Sequence, residues 1–334
     1  MMKRIIWTLW WQGEDAAPDL VKACIASMRA HADGAEVMVL DKQTCGRYVT
    51  LPRHILEKVD AGIISLTHLS DIIRIHLLRD HGGLWLDSTV FVTADIPREI
   101  FELPIWTVHF RNFRHPVPAG RWTGFLLGGA QGNELFAALA EMLDAYWATH
   151  DAMADYVLID YFIRKCYETI PGVREQLDSL PFYEGDVWEL MRNRAGSGDL
   201  NQLYGVFQKT SYKDAFPVFS AEGGYSMYAQ LLRAYGFSPE AGNGLNGRAA
   251  RDRRIGIALG KMKKLRSRAK TFGLEVAFRE LLALSVGRLT GALGSRCQKK
   301  YCAAVDRYLE AQACYRIAES AGKAGGSVEC PGSA

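Results

Sequence analysis

The chain has 334 residues, 49% of them apolar and 23% charged, which suffices for a full core and excludes a chain disordered by composition. The formal net charge of +3 conceals an asymmetry: from Arg248 to Lys300 there are fifteen Lys/Arg against three acids, a local +12, which leaves about −9 on the remainder. No apolar run reaches the roughly 20 residues that span a bilayer, and the seven scattered cysteines form no C-x-x-C pair, so a disulfide framework and a zinc site give way to a reducing, cytoplasmic setting.

The N-terminus opens like a secretory signal, but its apolar run meets Gln12, Glu14 and Asp15 without a small-residue cleavage site. Residues 3–11 therefore read as a buried first strand. Alternation along it puts Trp10 and Trp11 on opposite faces and assigns one of them to the core. Residues 18–32 read as a helix opened by Pro18, with Leu20, Cys24, Ile25 and Met28 on one face. A strand follows at 35–40, a helix at 66–80 and a strand at 84–92. This alternation predicts an α/β fold with a mostly parallel sheet and helices on both faces. Strands at 105–110 and 122–128 and helices at 135–149 and 156–167 complete the first part. The Gly-, Pro-, Ser- and Asn-rich stretch 236–247 is the best linker. It divides the chain into 1–245, the α/β domain, and 246–334, a basic and mainly helical extension.

The chemistry concentrates in one helix–turn–strand unit. Asp71 and Arg74 are three residues apart on one helix face, Ser70 is suited to cap a helix start, and Gly82-Gly83 permits the tight turn that ends the helix. Leu84-Trp85-Leu86 is a short buried strand with Asp87 at its carboxyl end, where open α/β sheets bind ligands. Two carboxylates and a guanidinium thus converge on one crevice. Transfer of a sugar from a nucleotide diphosphate builds negative charge on the leaving diphosphate, and a divalent cation or Lys/Arg neutralises it. Asp160 is an acid inside the apolar run 157–162, and a buried carboxylate needs a partner or a substrate. Lys209 and Lys213 flank a Thr-Ser-Tyr segment, within reach of a diphosphate or on plain surface.

The combination SD-x-x-R, then GG-x-x-x-D sixteen residues after the first Asp, resembles glycosyltransferases of the large clostridial toxin type and, more specifically, the bacterial capsular polysaccharide synthesis proteins. IIWTLWWQGEDAAPDLVKACIASM at the start, AYWATHDAMADYVLIDYFI and QKTSYKDAF fit the same group, and the resemblance covers roughly residues 3–220. It implies a GT-A-like, Rossmann-like nucleotide-sugar domain and transfer from a UDP-sugar, with retention, onto a capsular or other surface glycan or glycolipid. It implies that Asp71 and Arg74 hold sugar hydroxyls, that Asp87 contacts Mn²⁺ or Mg²⁺, and that Trp10 flanks the base. Gln12, Ser70, Trp85 and Lys213 are further candidates for the donor site, and Asp160 for the catalytic set. The wider group has D-x-D where this chain has Asp87-Ser88-Thr89, so Thr89 offers the metal a hydroxyl and no charge. All eight histidines lie at or before His150. A C-terminal histidine ligand is thereby excluded, and a residue near 209–214 would have to serve.

The cationic block 248–300, with apolar residues between its charges, suits an anionic membrane surface. It has no aromatic interleaving of the kind that would point to nucleic acid. Two other readings of the chain stand beside transfer: a non-catalytic sugar-binding assembly protein and a phosphosugar transferase.

Overall fold

A computed structural model describes residues 4–111, 115–192, 199–213, 216–239, 268–286 and 292–325. The central sheet contains β1 (Ile5–Leu9), β2 (Glu36–Leu40), β3 (Gly83–Leu86), β5 (Ile105–Thr107) and β6 (Leu126–Gly129), in the order β2-β1-β3-β6-β5. β1 runs parallel to β2 and β3, while β6 is antiparallel to both β3 and β5. Four of the five strands therefore share one direction, as the alternating pattern predicts. β4 (Val90–Val92) and β7 (Phe207–Lys209) form a separate antiparallel pair. The sheet interior is built from Ile6, Trp7, Leu84, Trp85, Leu86, Leu126 and Leu127, all buried.

The predicted strand 84–92 is two strands. Asp87-Ser88-Thr89 breaks it with a turn closed by the Val90 amide on the Asp87 carbonyl at 2.8 Å. Asp, Ser and Thr favour such turns over a continuous ladder. The break separates the carboxyl end of β3 from a strand that pairs elsewhere.

Helix α1 (Asp19–Ala30) follows Pro18. Short α2 (Arg53–Asp60) has no counterpart in the sequence reading. Helix α3 (Leu66–His81) is capped by Ser65, whose hydroxyl accepts from the His68 amide at 3.4 Å. Ser70 thus lies inside the helix, one turn past the cap. At the other end Gly82 and Gly83 have φ 65° and 99°. A Cβ on Gly82 would sit 2.6 Å from the Gln131 nitrogen, and one on Gly83 2.6 Å from the Ile5 carbonyl. Only glycine fits this reversal, and it delivers the chain from α3 directly into the middle of the sheet.

Helices α4 (Glu134–Thr149), α5 (Leu158–Thr169), α6 (Pro171–Asp178), α7 (Glu189–Arg192) and α8 (Met227–Ala234) follow. Near the C-terminus come α9 (Leu274–Val286), α10 (Ala292–Glu310) and α11 (Ala313–Gly325). Helix α11 packs on α4 and α5. Phe272, Val276, Tyr301, Val305, Leu309 and Tyr315 belong to the same buried cluster as the sheet residues Ile6 and Leu84. The nearly buried Lys165 on α5 pairs with Glu310 at 3.2 Å and Glu319 at 2.9 Å. Residues 248–267 and 287–291 of the cationic block lie outside the described residues. Among the described residues, no helix is long and apolar enough to cross a membrane.

The Gly83 geometry yields a direct test. Gly83→Ala forces a side chain into a left-handed conformation and against the Ile5 carbonyl, so a loss of about 2 kcal/mol or more is expected. A urea melt with an unchanged midpoint would show that the β1–β3 approach is looser than described.

Candidate functional site

Three pieces of chain meet beyond the carboxyl ends of β1 and β3. Helix α3 carries Asp71 and Arg74, the turn after β3 carries Asp87 and Thr89, and β7 carries Lys209. The Asp87 amide donates to the Phe125 carbonyl at 3.0 Å, extending the β3–β6 ladder by one step and fixing the turn.

Arg74 is only 4% exposed. One Nη donates to Asp71 Oδ1 at 2.8 Å and to Asp87 Oδ1 at 3.2 Å, and the other donates to the Gly124 carbonyl. The guanidinium also lies 5.3 Å from the Trp85 ring centre. Trp85 is itself buried and donates its indole N–H to Asp87 Oδ1 at 2.9 Å. It reaches the site by holding that carboxylate. Lys209 Nζ donates to Asp87 Oδ2 and to Thr89 Oγ1, both at 2.8 Å.

Burial raises the Asp87 pKa, but Lys209, then Arg74, and the hydrogen bonds from Lys209 and Trp85 outweigh it and hold the carboxyl below its usual range. Asp71 behaves oppositely: burial lifts it to about 6, with Arg74 opposing and Asp87 adding to the rise. Asp160, in the first turn of α5, is lifted to about 7 by burial and by Asp71, although the Trp122 indole N–H bonds to it at 3.0 Å. One carboxylate is thus locked in its charged form and two sit near neutrality.

Two cavities adjoin at this cluster. One, of about 300 Å³, is lined by Asp71, Asp160, Trp122 and Tyr156 among others. The second, of about 480 Å³, is lined by Trp10, Gln12, Ser70, Trp85, Thr89 and Lys213 among others. Arg74, Asp87, Tyr156, Trp188 and Lys209 line both. Asp71, Arg74, Asp87 and Asp160, the donor-site candidates and Thr89 therefore line one crevice with two compartments, and Lys209 with them. The period-two reading of Trp10 and Trp11 fails, because β1 stops at Leu9 and the chain turns, with the Gly13 amide on the Trp10 carbonyl at 2.9 Å. Both indoles line the larger cavity. Trp10 stands edge-on to Tyr212 at 5.2 Å, and its indole N–H is buried with no partner among the described residues.

The sequence model of the capsular polysaccharide synthesis protein family matches residues 1–228, more than half of the chain. The chain belongs to that family. No curated protein matches it significantly.

In this family member, several wall residues had no role assigned from the sequence or only an ambiguous one. Tyr156, 68% exposed, and Trp188 line both compartments, yet in the sequence Tyr156 only opens the expected helix 156–167 and Trp188 is an ordinary aromatic. Lys209 is equally ambiguous until β7 is paired with β4. The donors expected for a divalent cation are Asp87 and Thr89, but the Asp87 oxygens already accept from Lys209, Arg74 and Trp85, and the Thr89 hydroxyl from Lys209. Among the described residues no group of three His, Cys, Asp or Glu side chains is arranged to hold a metal ion, and Asp214 lies outside them. As arranged, the pair does not fit a resident divalent ion.

Two predictions follow from the electrostatics. The Asp160 pKa is raised on folding, so the native state keeps a proton that the unfolded chain releases. Between about pH 4 and 7 this group should lower stability by up to roughly 1.4 kcal/mol per pH unit as pH rises. Asp160→Asn keeps an acceptor for Trp122 and should flatten that slope; parallel urea midpoints for the two proteins across this range would contradict the assignment.

Arg74→Met strands Asp71, leaves Asp87 with Lys209 and Trp85 alone, and is expected to cost about 3–5 kcal/mol. Adding Asp71→Asn should recover part of that loss, because the partner left behind loses its charge. Strict additivity of the two substitutions would mean that they share no ion pair.

Proposed function

We propose that this family member is a glycosyltransferase that moves a sugar from a nucleotide-diphosphate donor to a capsular or other surface glycan, or to a lipid-linked glycan. The observation that carries the reading is the shared wall of the two cavities. Arg74, Asp87 and Lys209 form a desolvated charge cluster between a polar, aromatic-edged compartment and a smaller one containing two carboxyls of raised pKa. A nucleotide sugar has that division: a flat base and ribose, a diphosphate, and a polyhydroxylated ring.

In this reading Trp10 and Tyr212 flank the base, and the free Trp10 N–H finds its acceptor on the nucleotide. Gln12, Ser70 and Lys213 border the same compartment. The diphosphate lies beside Lys209, and the sugar enters the Asp71–Asp160 compartment. Carboxylates accept hydrogen bonds from sugar hydroxyls, and charge-assisted bonds of this type are among the stronger ones. Asp160, with a pKa near neutrality, is suited to exchange a proton with a hydroxyl of donor or acceptor. The bond from the anomeric carbon to the diphosphate oxygen breaks, the acceptor oxygen forms the new bond, and the acceptor's proton leaves to a base in the crevice. The family resemblance favours UDP as carrier and retention of anomeric configuration.

The reading is tested by incubating the full chain with a panel of UDP-sugars and following nucleotide release. UDP should appear with at least one donor, and Asp87→Asn should lower the rate about 100- to 1000-fold, equivalent to about 2.7–4 kcal/mol. Release of UMP would transfer the assignment to phosphosugar transfer. No nucleotide release from any donor, or near wild-type turnover in Asp87→Asn, would overturn it.

A further inference from the structure

The strand pair β4–β7 puts Val90 opposite Lys209. On the next residue, the Thr210 amide and hydroxyl both donate to the Thr89 carbonyl, at 2.8 and 2.7 Å. The Lys209 amide is tied to the Val187 carbonyl at 2.6 Å. The lysine stem is therefore fixed at its root on both sides. Its ammonium is fixed at its tip by Asp87 and Thr89 and lies 4.8 Å from the Phe125 ring centre. The side chain is 15% exposed, which leaves little freedom to swing out. An ammonium has three N–H donors; two are used by the described residues, which leaves the third for a ligand in the crevice that Lys209 helps to line.

We propose that the Lys209 ammonium is the resident cation of this site and does the work of a divalent metal at the donor's diphosphate. The inference deepens the transferase reading and rests on it. The charge count supports the exchange. Arg74 and Lys209 bring two positive charges, Asp71 and Asp87 two negative ones when ionised, and Thr89 none, so the cluster sums to zero without a divalent ion. Thr89 is a neutral hydroxyl. A carboxylate in its place would leave a negative charge unmatched, and a divalent ion on the Asp87 and Thr89 oxygens would have to compete with the like charge of Lys209 for them. As the glycosidic C–O bond breaks, the departing diphosphate takes the electron pair, and the fixed N–H stabilises the charge that develops there. A positive group held in place before the reaction needs no reorganisation during it.

This predicts that the protein binds UDP without added metal. Titration of UDP into the full chain by calorimetry, in EDTA and then in excess Mn²⁺, should give affinities within a few-fold of each other. Lys209→Met should weaken UDP binding in EDTA roughly 10- to 100-fold, the range for a charged hydrogen bond, and Lys209→Arg should restore part of it. Electron paramagnetic resonance of Mn²⁺ with the wild-type protein alone should detect no stoichiometric bound ion. UDP binding that requires Mn²⁺, or a stoichiometric Mn²⁺ site in the wild type, would overturn the proposal. Both comparisons use the wild type and remain decisive if Lys209→Met does not fold. Failure to bind UDP under either condition would overturn the transferase reading itself, and this inference with it.

Discussion

The buried guanidinium of Arg74 ties the site together. It joins helix α3 through Asp71, the turn after β3 through Asp87, and the segment before β6 through the Gly124 carbonyl. A charge so deeply buried is costly unless it is paired and hydrogen-bonded, and here three separate segments must be in register to supply its partners. The arrangement makes local folding and site assembly one event. It also explains why Asp87, at the end of a four-residue strand, is held at a fixed position: Arg74 and Trp85 hold one oxygen while Lys209 holds the other.

The helix–turn–strand unit was legible because each of its parts has a local cause. Gly82-Gly83 marks a reversal that no other residue type fits, the apolar triplet after it marks a buried strand, and i,i+3 spacing puts Asp71 and Arg74 on one face. The break at Asp87-Ser88-Thr89 was not foreseen, since Val90-Phe91-Val92 resumes an apolar pattern and periodicity cannot tell one strand from two. What separates them is pairing with β7, about 120 residues further on, and pairing across that distance leaves no local trace. For the same reason the place of Lys209 could not be read from its neighbours. Trp10 and Trp11 misled in the opposite way: a pattern that suits a strand ran past the point where the ladder ends.

The C-terminal helices act on the site from behind. Arg268 donates to the Met153 carbonyl at 2.6 Å and also bonds the Ala154 carbonyl and pairs with Glu280 on α9. Those carbonyls lie just ahead of Tyr156 and of α5, the helix whose first turn carries Asp160. The same helix is gripped at Lys165 by Glu310 and Glu319. Helix α5 is thus held by residues from the C-terminal part of the chain, and for Arg268, a member of the cationic block, that role is structural. Arg268 is buried and paired, unlike the solvated face that a cationic run ordinarily forms.

The crevice is graded electrostatically from one end to the other. At the wall between compartments, Asp87 is held ionised by two cations, so its charge does not respond to pH in the neutral range. In the smaller compartment Asp71 and Asp160 sit near pKa 6 and 7, because burial penalises their charged forms, with Asp87 adding to the rise at Asp71 and Asp71 to the rise at Asp160. Only Asp71 has Arg74 as a direct partner; Asp160 has a neutral indole N–H. That difference orders the pair, with Asp71 losing its proton first and Asp160 keeping one longest. A fixed charge can steady another charge, and a mobile proton lets a compartment both donate and accept hydrogen bonds. The sequence places one Asp at a strand end beside two cations and another in an apolar helix, and from those two placements the division of labour follows.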